Sequence, residues 1–304
     1  MIDLTREQRK QKTVVVIPAF NEERFIGSVV LKARQYVDTV IVVDDGSADS
    51  TRDIALAAGA VVVPLDQNGG KGLALNSGFR KAREYDPAVV VTLDGDWQHM
   101  PEQIDQVAEP VLNGDADIVV GSRYLQSDSD VPVARVLGHW GFTTLTNVLS
   151  GVSLTDSQSG YRAFSPRAVQ ELSFSSKSFS VESEMQFLAR DHHYKVVEVP
   201  IIIRYDDKPK RSVIKHGFNV LDGLLYLVVQ HRPLLFFSVP GIAAMLIALF
   251  LGLQVVQSYA VSQTLAIGTG LLVVLFFLTG LFFVFTGFIL WSLRALLDRF
   301  PNRP

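Results

Sequence analysis

The sequence contains no cysteine. Disulfide staples, thiolate catalysis, zinc knuckles and iron–sulfur clusters are therefore excluded. It also lacks any excess of positive charge: 28 Lys and Arg face 31 Asp and Glu, a formal net charge of −3. A broadly basic surface for nucleic acid is excluded with it, and no nucleic acid is expected as a partner. There is no internal repeat and no low-complexity tract. A Walker A motif is absent as well. In the nearest stretch, NGGKG at 68–72, Gly72 stands where Ser or Thr must follow the lysine. Nor is this G-x-G-x-x-G, because Leu75 holds the third glycine position. An ordinary ATPase and an NAD enzyme are both disfavoured.

One further absence is local. Between Arg232 and Arg294 there is not a single Asp, Glu, Lys or Arg. A bilayer span takes roughly 20 apolar residues, so this stretch accommodates two helices and a turn. The first is expected over 234–256 and the second over about 267–290. Gln257, Ser258, Tyr259, Ser262 and Gln263 form the polar break. The alternative is a pair of buried helices in a soluble core, but soluble helices of this length normally keep a polar face. His231 and Arg232 precede the first span, while Arg294, Arg299 and Arg303 follow the second. The positive-inside rule then puts both ends in the cytoplasm. The N-terminal MIDLTREQRKQK has no apolar signal core, so the preceding region is expected to stay there too. The resulting expectation is a cytoplasmic domain over 1–210, an amphipathic interface segment over 211–232, two spans within 233–293 and a cytoplasmic tail over 294–304. The bilayer is a partner in this reading.

What is present before the spans is an alternation of strand and helix signals. Apolar runs at 13–20, 37–47, 60–65, 88–96 and 116–124 read as strands. Helical patterns at 21–37, 49–58, 71–85 and 101–112 lie between them. Residues 133–150 read as a helix, and KVVEVPIIIRY at 195–205 reads as a further strand. Such alternation predicts an α/β domain on a parallel sheet, whose ligands bind beyond the carboxyl ends of the strands. Asp44, Asp45, Asp94, Asp96 and Arg123 all fall at such ends and so gather in one crevice.

The chemistry follows from residue type. Asp94-Gly95-Asp96 places two carboxylates around one small residue after a buried strand, and Gln98 can add an oxygen. Hard oxygen ligands suit Mg²⁺ or Mn²⁺, which typically also binds substrate phosphates. Asp44 and Asp45 can accept from a base or a ribose, or can organise an Asx turn and a helix cap with Ser47 and Asp49. Lys71, in a glycine loop opening a helix, suits a phosphate contact. Arg123, Arg135, Arg204, Lys208, Lys210, Arg211 and Lys215 call for an acidic partner: a pyrophosphate, a lipid phosphate or anionic headgroups. His139, His192, His193 and His216 lack metal-ligand spacing and read as surface or interface residues.

Six segments in order carry a resemblance: VVVIPAFNEE at 14–23, VVDDGSADST at 42–51, NGGKGLALNSGF at 68–79, TLDGDWQHMPEQI at 92–104, GSRY at 121–124 and TDSQSGYRAF at 155–164. Together they resemble the family 2 glycosyltransferases with the GT-A (Rossmann-like) fold, and within them the polyprenyl-phosphate sugar synthases. Trp97 and Met100 depart from that group's usual DADxQHDP form. The resemblance implies an inverting transfer of a hexose from a nucleotide sugar, GDP-mannose first, to a polyprenyl phosphate. It implies a nucleotide pocket lined by Pro18, Phe20 and Glu22, with Val43 and Asp45 at base and ribose. Asp94, Gly95 and Lys71 would complete the donor site. Asp94, Asp96 and Gln98 would hold Mg²⁺ or Mn²⁺ on the diphosphate. Arg123 would meet the diphosphate or the acceptor phosphate, Arg135 would lie near the acceptor, and Arg204 and Arg211 would add basic contacts. Asp156, before QSGYR, is the candidate base, with loop organisation as its alternative and favoured role. A homo-oligomer is left open.

Overall fold

The computed structural model describes residues 5–125, 133–175, 181–203 and 233–297. Arg204, Arg211 and the amphipathic segment over 211–232 lie outside the described residues. The chain divides into two compact units, Met1–Leu224 and Leu225–Pro304.

The first unit contains a seven-stranded sheet. Its strands are β1 (Thr13–Ala19), β2 (Thr39–Asp44), β3 (Val61–Pro64), β4 (Val89–Thr92), β5 (Ile118–Ser122), β6 (Arg162–Phe164) and β7 (Val196–Pro200), in the order β3-β2-β1-β4-β6-β5-β7. Helices α1 (Arg6–Lys12), α2 (Ile26–Ala33), α3 (Thr51–Ala57), α4 (Lys71–Ala82), α5 (Ile104–Leu112), α6 (Val133–Ser150), α7 (Pro166–Glu171) and α8 (Val181–Asp191) complete it. The central strands are apolar on both sides, as a sheet covered on both faces requires. Val15, Ile17 and Ala19 of β1 join a core with α2, α3 and α5. Val14 and Val16 join a second core with Phe79 of α4, Val169 of α7 and Met185 of α8.

The sheet corrects the expectation of purely parallel strands. β6 is antiparallel to both β4 and β5. Three residues are too few to show a period-2 pattern, so the sequence carried no strand signal there. Helix α2 also begins later than the 21–37 pattern predicts. Asn21 adopts a left-handed φ of 54°. Its backbone N–H donates to Ser47 Oγ and its side-chain oxygen accepts from the Ala48 N–H. The Glu22 N–H donates to Thr51 Oγ1. These bonds stitch residues 21–22 to the loop after β2 and take the backbone out of the helix. Helices α1, α7 and α8 were not anticipated.

Register shapes the crevice. β1 pairs with β2 as far as Ala19↔Asp44, but with β4 only as far as Val16↔Thr92. Pro18 has no N–H to extend a ladder. Beyond Thr92 the chain peels away from β1, at the point where the strand order reverses, which is where ligands settle in open α/β sheets.

The second unit consists of a π-helical turn, Leu234–Ser238, followed by α9 (Val239–Ser262) and α10 (Ile267–Leu297). The polar residues 257–262 do not break the first helix; it continues to Ser262 and ends at Gln263, with φ 52°. The stretches Leu234–Ser262 and Ile267–Leu293 are long and apolar enough to cross a membrane. Only 11% of each most apolar window is buried, whereas the core helix of a soluble protein is mostly buried. The two helices meet at glycines: a Cβ on Gly241 would lie 2.7 Å from the Gly280 carbonyl oxygen.

Candidate active site

The carboxyl ends of β1, β2, β4 and β5 carry the predicted residues. Asp94, Gly95 and Asp96 follow β4. The Lys71 ammonium, at the start of α4, lies 2.6 Å from Asp94 Oδ1 and 2.7 Å from Glu182 Oε1 of α8. Burial works against the charge on Lys71, but the two carboxylates outweigh it and raise its pKa. Burial likewise works against an ionised Asp94, yet Lys71, then His99 and Arg123, hold its pKa below the usual carboxylate range. Asp96 goes the other way. Burial, the Asp94 charge and Glu22 push it up to about 6, against a bond from the Gln98 N–H to Asp96 Oδ1. Two carboxylates at one strand end are thus driven apart in acidity by their partners.

His99 closes the turn. The Asp94 N–H donates to His99 Nδ1 at 3.1 Å, so that nitrogen is an acceptor and the ring is neutral. Burial pushes its pKa down to about 4. Trp97, within the same turn, has a φ of 65°. This left-handed residue turns the chain sharply between Asp96 and His99.

The loop before β6 covers this cluster from the other side. Thr92 Oγ1 donates to the Gly160 carbonyl. A Cβ on Gly160 would sit 2.7 Å from Lys71 Nζ and 2.9 Å from Asp94 Oδ2, so any larger residue must displace that ion pair. Arg162, fully buried, ties the loop down by donating to the carbonyls of Ser159 and Ser157. Asp156 is fully buried and accepts from Arg123 Nε and Nη2, each at 2.6 Å, and from the Arg123 N–H. Glu198 of β7 in turn accepts from the N–H groups of Thr155 and Asp156. The bidentate pair gives Asp156 the loop-organising role and aims Arg123 from the end of β5.

The other predicted residues divide. Asp45 accepts from the Gly69 N–H at 2.8 Å and the Gly70 N–H at 2.9 Å, so its carboxylate pins the glycine loop that presents Lys71. Asp44 accepts from the Ser47 N–H, three residues on, and so closes the loop after β2. Val43 is fully buried in the core beneath α4, so its side chain belongs to that core rather than to a pocket wall. Phe20, just beyond β1, is 40% exposed. Pro18 lies beside Val43 in the ladder. Arg135 lies in the first turn of α6, and its side chain is outside the described residues. The sequence reading missed Glu182, His99, Gly160 and Arg162 as parts of the site. His99, Gly160 and Arg162 lay inside recognisable segments, and Glu182 did not.

The donor set fits a divalent cation held jointly with substrate. Among the described residues, no group of three or more His, Asp or Glu side chains is gathered to hold a metal alone. Mg²⁺ commonly takes one or two carboxylates and completes its shell with phosphates and water. Asp94 and Asp96 are the two carboxylates that could supply that pair.

The match to a known family decides the wider question. Residues 14–173 match the model of glycosyl transferase family 2. The chain belongs to that family. Among relatives of this family 2 enzyme is a UDP-N-acetylglucosamine–dolichyl-phosphate N-acetylglucosaminyltransferase of Methanococcus voltae, 32% identical over 70% of this chain and 94% of that one. An undecaprenyl-phosphate mannosyltransferase of Micrococcus luteus is 32% identical over 62% of this chain and 82% of that one. Glucosyl-3-phosphoglycerate synthase of Mycobacterium tuberculosis, solved with Mn²⁺, UDP and phosphoglyceric acid, shares the fold with a TM-score of 0.60. It is 23% identical and covers 75% of this chain and 84% of that one.

Proposed function

We propose that this enzyme transfers a hexose from a nucleotide sugar to a polyprenyl phosphate, with inversion at C1. The observation that carries the reading is the commitment of Asp156. The carboxylate that the sequence offered as base for a hydroxyl acceptor is locked bidentately onto Arg123. His99, the imidazole beside the carboxylate pair, is neutral with Nδ1 taken up by the Asp94 N–H. An acceptor that brings its own negative charge needs no base. A phosphate monoester has a second pKa near about 6 and is largely dianionic at neutral pH. Both relatives named above act on lipid phosphates by name, which supports the same choice.

In this reading Asp94 and Asp96, with Gln98, hold Mg²⁺ or Mn²⁺ on the donor diphosphate. When bound, the cation offsets charge on the departing nucleoside diphosphate as a Lewis acid. The chain's own residues do the rest. Asp45 fixes the glycine loop, Phe20 and Glu22 border the nucleotide, and Lys71 adds a positive charge beside Asp94. Arg123 and Arg135 draw the acceptor phosphate towards a diphosphate that would otherwise repel it. Arg204 and Arg211 add basic contacts. The two apolar helices anchor the enzyme in the bilayer where its acceptor resides, with the catalytic unit cytoplasmic.

GDP-mannose is the donor put first, and UDP-N-acetylglucosamine and UDP-glucose are its competitors. Membranes containing the enzyme are incubated with each labelled sugar nucleotide and either dolichyl or undecaprenyl phosphate. One labelled lipid, absent from an Asp96→Ala variant, is the expected outcome. Transfer to no lipid phosphate, or unchanged turnover in excess EDTA, refutes the reading.

A further inference from the structure

Glu182 stands outside every segment that suggested a function, yet it touches the centre of the site. It lies in the first turn of α8, 5% exposed, in a protein where buried carboxylates need partners. Its neighbour Glu184 turns instead to Ser175, accepting from that residue's N–H and hydroxyl. Glu182 turns inward to Lys71, which it shares with Asp94. Gly160 lies against the lysine, where a Cβ would meet the ammonium at 2.7 Å, so the loop bounds it on that side.

We propose that Glu182 is a positioning residue of the donor site, holding the Lys71 ammonium away from sole pairing with Asp94 so that Asp94 stays available to a divalent cation. This deepens the metal-dependent reading above and rests on it. The argument is one of charge. Asp94, Asp96 and Glu182 against Lys71 leave two negative charges in a part-buried cluster, which a divalent cation neutralises. Replace Glu182 by a neutral amide and one negative charge is lost. The whole attraction of the ammonium then falls on Asp94, and a cation must compete with it for the same oxygen.

The experiment is a Mn²⁺ titration of the full-length protein in detergent, followed by electron paramagnetic resonance, with GDP and in parallel UDP as the added nucleotide. Glu182→Gln is expected to weaken Mn²⁺ binding by about tenfold to a hundredfold, the range for residues that act on a metal through its ligands. Glu182→Asp keeps the charge and is expected to recover most of the affinity. The decisive comparison is made in a Lys71→Met background. There the ammonium that Glu182 shares with Asp94 is gone, so adding Glu182→Gln is expected to change affinity by no more than about twofold. Equal losses in the Gln and Asp variants, independent additive losses with Lys71→Met, or wild-type Mn²⁺ affinity in Glu182→Gln each overturn the proposal. If the wild-type protein binds no Mn²⁺ with either nucleotide, the metal-dependent reading itself falls, and that outcome is distinct from the other three.

Discussion

Replacing Asp156 by Asn tests whether the loop before β6 is held by charge or offers a base. Asp156 is fully buried, and the Arg123 side chain is 10% exposed. Three donors from Arg123 converge on the carboxylate: Nε and Nη2, each at 2.6 Å, and the backbone N–H at 3.2 Å. Removing one partner of such a buried pair costs about 3–5 kcal/mol. Asparagine keeps one accepting oxygen, so the loss sits near the lower end, about 3 kcal/mol. For a domain of this size that is a fall in Tm of about 6–12 °C. The assay pairs a thermal melt in detergent with steady-state sugar transfer below the melt. Asp156→Asn is expected to lower Tm by that amount and to raise KM for the lipid phosphate as Arg123 loses its aim. Combined with Arg123→Gln it should cost little more than either change alone. A general base would leave a different mark: a loss of about 10²–10⁴ in kcat with Tm nearly unchanged. A Tm within about 2 °C of wild type refutes the reasoning.

The acidity of Asp96 gives a second expectation. Its pKa is raised in the folded protein to about 6, so it is uncharged in both folded and unfolded states at low pH and carries a burial cost once ionised. Without divalent metal, Asp96→Asn should therefore raise Tm at pH 7.5, and the gain should vanish as pH falls below about 4. An unchanged Tm at neutral pH contradicts the raised value. The same variant should abolish transfer. Gly160→Ala should force apart Lys71 and Asp94 and cut turnover by about tenfold or more while the fold persists, because a methyl there has no free volume; wild-type turnover would show that the loop yields. Arg135→Ala should raise KM for lipid phosphate with donor affinity little changed, and normal lipid kinetics would remove Arg135 from the site. Carbonate washing should leave the full-length protein in the membrane, and its extraction would refute the two-span reading.

Much of this was legible in the sequence because it was written in local patterns. Strand ends announced Asp94, Asp96 and Arg123, and the uncharged stretch announced both apolar helices. Helix α6 matches the 133–150 pattern. Signals for α1 and α7 were also present. Thr5 and Gln8 form a capping box, and Ser165 caps a helix opened by Pro166. What stayed hidden depends on long-range placement. Glu182 lies in a helix that no sequence pattern announced, and only the packing of α8 and α4 into one core brings it to Lys71. Asp45 looked like a ligand contact because its amide partners, Gly69 and Gly70, come from a loop more than twenty residues away. The antiparallel sense of β6 could not be read from three residues flanked by turns.

That short strand also bears on how the protein is made. β4 and β5 leave the ribosome first, but neither pairs with the other; each pairs with β6, through the same residues 162–164. Until those residues arrive, the two halves of the sheet have no common ladder. The cost of closing so long a loop must be met before the pairing gives anything back, which makes its formation slow. The loop that carries Asp156 and Gly160 enters the crevice with β6. The catalytic crevice is therefore completed together with the last central strand, and a chain halted before Phe164 would have an open sheet edge and no assembled site. Acquisition of nucleotide binding during refolding should accordingly follow the slowest phase of sheet formation rather than precede it.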